Sequence, residues 1–256
     1  MYTWQRWMAV EFRAAGLTVR EVEGWKNRGR PATTGGYAPN AGLLDHHTGT
    51  TTSDDNPHPT LQMLIKGRPD LPGPLAPWSV DYDGVVWVIA AGRCNHAGRT
   101  NKPFAGVAAG SDGNYHFMGD EVDTNGTQKL PPKQRRSIAV TNAVYLDHFH
   151  RPLTTLGRHA DITTRKWDIG SISTATLRSD VVAYRKEDED VAITEAEFKK
   201  IRAIMAEEAN KAVARHVGDV VTVPKDDPEY DPKNEKVRVS TALTWLLGRT
   251  GKAQGQ

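Results

Sequence analysis

Apolar and polar positions alternate along this chain with two different periods. In Met1–Arg13 the apolar residues Trp4, Trp7, Met8, Val10 and Phe12 are interrupted by charge every few positions, which predicts an amphipathic helix. A Gly/Pro/Asn-rich connection spans residues 29–40. Gly42-Leu43-Leu44-Asp45-His46-His47 then reads as a short buried strand whose end delivers His46. Pro57-His58-Pro59-Thr60 ahead of Leu61, Met63, Leu64 and Ile65 predicts a helix with proline in its first turn, and the proline-rich 69–74 segment breaks it. Residues 78–90 read as a hairpin, with Asp83-Gly84 supplying the positive φ angles of a tight turn. Phe117–Val122 is a further strand. Ile138, Val140, Ala143, Val144, Leu146 and Phe149 mark a helix over 133–149. Such alternation predicts an α/β fold with a mixed central β-sheet flanked by helices.

Past about residue 185 the pattern changes. Arg185-Lys186-Glu187-Asp188-Glu189-Asp190 reads as a solvated linker. Thr194-Glu195-Ala196-Glu197 has capping-box spacing, and Phe198, Ile201, Met205, Ala209, Ala212 and Val213 form one helical face that stops at Gly218. A Pro/Asp-rich stretch, 224–232, separates this helix from a last one around 237–247. The expected organisation is a main domain over 1–185 and a small helical C-terminal extension over 186–256. The extension's apolar face suits a partner, a membrane, or packing onto its own domain.

A chain of 256 residues holds one substantial domain and a smaller appendage. A quarter of the residues are charged but the net charge is only +2, so bulk charge does not point to nucleic acid. No stretch approaches the roughly 20 apolar residues that span a bilayer, and the charged N-terminus does not resemble a secretory signal. The expectation is synthesis in a cytoplasm. Cys94 is the sole cysteine, which excludes an internal disulfide and a multi-cysteine metal cage. The oligomeric state stays open.

The chemistry-bearing residues fall in remote segments. His46 ends the first strand, and His159 and Asp168 lie in the 157–168 stretch. Two imidazoles and one carboxylate, with the fourth position left to water, suit a catalytic zinc site if the fold brings the segments together. Taken alone, a histidine on an apolar strand is usually structural. His47 alternates to the opposite face and reads as a packed or supporting group. His148 and His150, two apart on a helix, point to different faces, and His58, His116 and His216 have no ligand-like setting.

Four segments carry a family resemblance. His46-His47-Thr48 resembles the HHT motif of the zinc-dependent N-acetylmuramoyl-L-alanine amidases, a family that includes bacteriophage endolysins and the peptidoglycan recognition proteins. Ala91-Gly92-Arg93-Cys94-Asn95-His96-Ala97-Gly98 resembles its WHAG segment. Gly119 to Gly126 resembles its IGIEv.N.G strand, and Gly157-Arg158-His159 through Lys166-Trp167-Asp168 resembles GH…GRKxDPG. The segments occur in family order over residues 40–175. The Trp-rich opening and the Arg-Cys-Asn-His-Ala-Gly variant look most like endolysins of phages infecting actinobacteria.

The resemblance implies zinc, one per chain, held by His46, His159 and Asp168, and bacterial peptidoglycan as substrate. It implies that Glu121 is the general base and later the acid, and that Lys166 stabilises the oxyanion. The rival roles are a salt-bridged strand carboxylate and an ordinary solvated lysine. His96 and Trp78 are the candidate substrate contacts, with His96 equally readable as a groove-lining structural residue, whereas Trp87 reads as core. Cys94 does not align with the cysteine some relatives use in place of the aspartate, so it reads as a small buried residue. Asp168-Ile169-Gly170 departs from the family's Asp-Pro-Gly, which makes Asp168 the least secure ligand. A phage lysin would wait in the host cytoplasm and reach the wall at lysis, with 186–256 free to bind wall or pair chains. A non-catalytic peptidoglycan-binding module and a zinc peptidase acting within the stem peptide are the competing readings.

Overall fold

The computed structural model describes residues 5–30, 41–170 and 172–191, all within one compact unit. Both helices expected after residue 192 lie outside the described residues. The elements in chain order are α1 (Met8–Ala14), β1 (Val19–Glu21), β2 (Gly42–His47), α2 (Leu61–Lys66), β3 (Gly67–Arg68), β4 (Leu71–Pro72), β5 (Trp78–Val80) and β6 (Val86–Val88). They continue with α3 (Gly113–His116), β7 (Phe117–Val122), α4 (Pro132–His148), β8 (Leu156–Arg158), α5 (His159–Ile162) and α6 (Thr174–Val191).

Six strands form the central sheet in the order β1-β6-β5-β7-β2-β8, and β3 pairs with β4 separately. Every neighbouring pair in the six-stranded sheet is parallel except β5–β6, so the mixed α/β architecture expected from the pattern is the one observed. Parallel strands are covered on both faces and read as near-continuous buried runs. In β2 only His47 escapes full burial, and in β7 only Glu121 does. Both exceptions belong to the site.

One face of the sheet packs Leu43, Trp78, Val80, Met118 and Val122 against Met8 and Phe12 of α1, Ile138 and Leu146 of α4, and Leu177 and Val181 of α6. Each such fully buried side chain contributes about 1.5–3 kcal/mol. Pro132 opens α4 at a position where its missing N–H costs nothing. The opposite face has two smaller apolar clusters, one around Leu44, Phe117 and Ile162 and one around Leu64, Leu75 and Ile89. Between them runs a polar row in which His46 registers with Glu121, and Glu121 with Ser79.

Two local expectations are corrected. The β5–β6 connection is the five-residue segment 81–85, not a two-residue turn, and within it only Gly84 has a positive φ, 76°. Asp81 closes this loop by accepting from the Val85 amide (2.8 Å) and the Trp87 indole (2.8 Å). A Cβ on Gly84 would lie 2.6 Å from the Lys133 carbonyl, so glycine also lets α4 approach. The charge run 185–190 is no linker, since α6 continues through it to Val191 and Arg185 pairs with Asp147 of α4. Among the described residues, no helix is long and apolar enough to cross a membrane.

Candidate metal centre and cleft

In open α/β sheets, ligands bind beyond the carboxyl ends of the strands, and here three strands deliver chemistry at that edge. β2 ends in His46-His47, β7 carries Glu121 as its penultimate residue, and β8 hands directly to His159, the first residue of α5. The Arg158 amide, just ahead of α5, donates to Asp161 Oδ2 (2.8 Å), fixing where the helix starts. Asp168 comes from the loop after α5 and is tied back by the Ala160 amide, which donates to the Asp168 carbonyl (3.0 Å). The Asp168–Ile169 peptide is cis, and Gly170 follows at φ 54°.

His46, His159 and Asp168 converge. His46 Nδ1 lies 3.0 Å from His159 Nδ1 and 3.3 Å from Asp168 Oδ2, and His159 Nδ1 lies 2.7 Å from that same oxygen. They form the one group of three or more His, Cys, Asp or Glu side chains among the described residues with donor atoms close enough to share a metal. Burial, then the neighbouring His159, pushes His46 down to about 4. Burial favours protonating Asp168, but its close contacts with His159 and His46 and the charge those rings would carry if protonated outweigh it and hold the carboxyl well below its ordinary range. These shifts conflict if the histidines must supply the positive charge. A divalent cation among the three atoms satisfies both, because unprotonated imidazole and ionised carboxylate are the ligating forms. The donor set therefore fits zinc, with three protein ligands.

The centre opens into a cleft of ≈ 570 Å³ that Glu121, Lys166, Trp167, Arg165 and Arg68 help to line. Glu121 is part-buried, and its Oε2 is shielded with no hydrogen-bond partner. Burial first, then the charges of Asp168 and Asp123, raise its carboxyl well above the usual range. Lys166 is exposed on the cleft wall.

Of the two expected substrate contacts, the structure places Trp78 in the core and His96 at the cleft wall. Trp78 is 0% exposed, packed edge-on against Phe12 in the core, and offers no face to a ligand. His96 borders the cleft, yet its ring nitrogens face His46 Nε2 (3.0 Å) and the Phe117 carbonyl (3.1 Å), so neither is free for substrate. The exposed aromatic at the cleft is Trp167, 55% exposed, edge-on to His47 with ring centroids 4.7 Å apart. The signal for it in the sequence is its place beside Asp168. His47 thus packs at the rim of the same cleft that His46 lines, not on the opposite side.

Cys94, His58 and His148 have structural settings. Cys94 is buried. Ser79 Oγ meets His58 Nε2 (3.1 Å), and His58 and Thr60 both bond the Asp123 carboxylate. Ser79, His58 and Asp123 do not line the cleft, and they tie the 57–60 segment to the sheet. His148 pairs with Glu11 and stacks on Trp7, 4.2 Å between ring centroids.

Comparison with known proteins gives the family. Residues 37–171, over half of the chain, match the family model described as N-acetylmuramoyl-L-alanine amidase. No curated protein sequence matches the chain. Among solved structures it is similar to the N-acetylmuramoyl-L-alanine amidase LysC from Clostridium intestinale URNW, at 16% identity and TM-score 0.39, covering 57% of this chain and 84% of that one. It is similar also to a selenomethionine AmpD derivative (18% identity, TM-score 0.45, covering 64% of this chain and 94% of that one). The catalytic domain of XlyA is a third (15%, TM-score 0.46, 64% and 99%). The chain belongs to the N-acetylmuramoyl-L-alanine amidase family.

Proposed function

We propose that this protein is a zinc-dependent amidase that cuts the amide between the lactyl group of N-acetylmuramic acid and L-alanine in bacterial peptidoglycan. The observation that carries the reading is the meeting of His46, His159 and Asp168 at one point, in a cleft that also holds the partnerless Glu121. The chemistry a bound zinc supplies is Lewis acidity, which polarises the scissile carbonyl and makes water acidic enough to attack near neutral pH.

The chain's own residues do the rest. The Glu121 carboxylate takes a proton from the attacking water and returns it to the alanine nitrogen as the C–N bond breaks. Lys166 Nζ steadies the negative oxygen of the tetrahedral intermediate from the cleft wall. Trp167 offers its exposed face to the sugar ring next to the cut bond. The biological setting we propose is lysis of an actinobacterial host by a phage endolysin, held in the host cytoplasm until it reaches the wall. That part rests on the resemblance of the Trp-rich opening and of Arg93–Gly98.

Digesting purified peptidoglycan tests the reading. New L-alanine amino termini should appear, vanish on exhaustive chelation and return with added zinc. Cleavage inside the stem peptide, detected by mass spectrometry, would make it a peptidase, and binding without cleavage would make it a non-catalytic module.

A further inference from the structure

We propose that the two-residue segment His96-Ala97, held in place by Asn114, sets the tautomers of both metal-binding histidines so that their Nδ1 lone pairs face Asp168. This deepens the zinc reading above and rests on it.

The assignment follows from the acceptors each ring faces. The Phe117 carbonyl can only accept, and it lies 3.1 Å from His96 Nε2, so that nitrogen carries a proton. A neutral imidazole has a single N–H, so His96 Nδ1 is a bare lone pair. That atom lies 3.0 Å from His46 Nε2, so His46 donates from Nε2 and its own Nδ1 is left bare. His159 repeats the logic one residue along: its Nε2 lies 3.0 Å from the Ala97 carbonyl, which leaves its Nδ1 bare. Both bare nitrogens then converge with Asp168 Oδ2, at the 3.0, 3.3 and 2.7 Å separations given above. Three acceptors facing one another with no proton between them repel, and a cation among them removes the repulsion. The opposite tautomer of either histidine would put a proton where the metal belongs.

Two features show that this relay is built. Asn114 Oδ1 accepts from the backbone amides of His96 (2.8 Å), Ala97 (2.8 Å) and Gly98 (3.2 Å), which fixes the segment. Gly119 sits inside strand β7, where glycine ordinarily weakens a strand. A Cβ there would strike His96 Nδ1 and come within 2.8 Å of His46 Nε2, so the space a side chain would fill holds the histidine–histidine contact. Outer partners of this kind fix the tautomer and raise the basicity of a ligating imidazole, and losing one typically costs about 10–100-fold in metal affinity. His96 and Asn114 are positioning residues.

The test uses the full chain. With histidine ¹⁵N-labelled and zinc bound, long-range ¹H–¹⁵N correlation should show His46, His96 and His159 each protonated on Nε2 only. In competition against a chromogenic chelator, His96→Ala should bind zinc about 10–100-fold more weakly than wild type. His96→Gln keeps a carbonyl acceptor and an amide donor and should recover most of that loss. Should His96→Ala fail to fold, the wild-type tautomers and the glutamine variant decide the matter. A wild-type His96 protonated on Nδ1, or a folded His96→Ala with unchanged zinc affinity, would overturn the inference alone. A wild type that takes up no zinc would overturn the zinc reading and this inference with it.

Discussion

Beneath the site, on the face of the sheet that packs against α4, two aspartates register side by side. Asp45 of β2 and Asp120 of β7 are both 0% exposed, next in sequence to His46 and Glu121. Asp45 Oδ2 accepts from Asn142 Nδ2 (2.9 Å), while its Oδ1 and both oxygens of Asp120 have no donor if both carboxyls are ionised. One proton on Asp120, donated to Asp45, closes the contact. Burial pushes Asp45 up to about 7, against the hydrogen bonds of Asn142 and Asp120. Asp120 is driven well above its usual range by burial first and the charge of Asp45 second. An unfolded aspartate titrates near about 3.9, so the folded chain binds more protons from roughly pH 4 upward. Stability therefore falls as pH rises through this window, and for Asp45 the fall is complete above about pH 7. Three pKa units at about 1.4 kcal/mol each make that loss on the order of 4 kcal/mol, and it belongs to the pair because the two carboxyls titrate together. Asp120→Asn keeps the shape and supplies an N–H donor to Asp45 at every pH. At fixed zinc saturation, urea midpoints across about pH 5–8 should show wild type losing stability while the variant's curve is flatter and crosses above it at the alkaline end. Glu121 remains in both proteins, so the difference between the curves isolates the pair. Parallel curves would refute the shared proton.

Other perturbations separate site from core. Glu121→Gln should retain zinc, measured by metal analysis, and lose turnover by about 10²–10⁴-fold; full activity would reject the proposed base. Trp167→Ala should raise KM for peptidoglycan with little change in Tm, since the ring is 55% exposed, and an unchanged KM would remove it from the substrate path. Trp78→Ala should lower unfolding free energy by about 3–5 kcal/mol in chemical denaturation, while KM of the folded fraction stays at the wild-type value.

Much of the architecture was legible because local period and burial agree. Strands β2 and β7 appear at the expected residues, and α4 is displaced by one residue at each end. His46, His159, Asp168, Glu121 and Lys166 could be named from motif order, and they lie together at one edge of the sheet. What escaped depends on pairings that no local period encodes. Asp45 meets Asp120 only because β2 and β7 run parallel in that register. Trp78 and Trp167 look alike as tryptophans, yet β5 places Trp78 and Val80 on the core face and Ser79 in the polar row. The 185–190 run looked like a linker because charge dominates it, whereas α4 supplies Asp147 as a partner for Arg185. His96 could be placed in the groove from its motif, but not its tie to the Phe117 carbonyl, which lies 21 residues away.

Anomalous diffraction from zinc-grown crystals, collected on both sides of the zinc absorption edge, addresses the central claim most directly. A single strong peak within bonding distance of His46 Nδ1, His159 Nδ1 and Asp168 Oδ2 is the predicted result. No peak at that point, or a peak coordinated by other side chains, would contradict it.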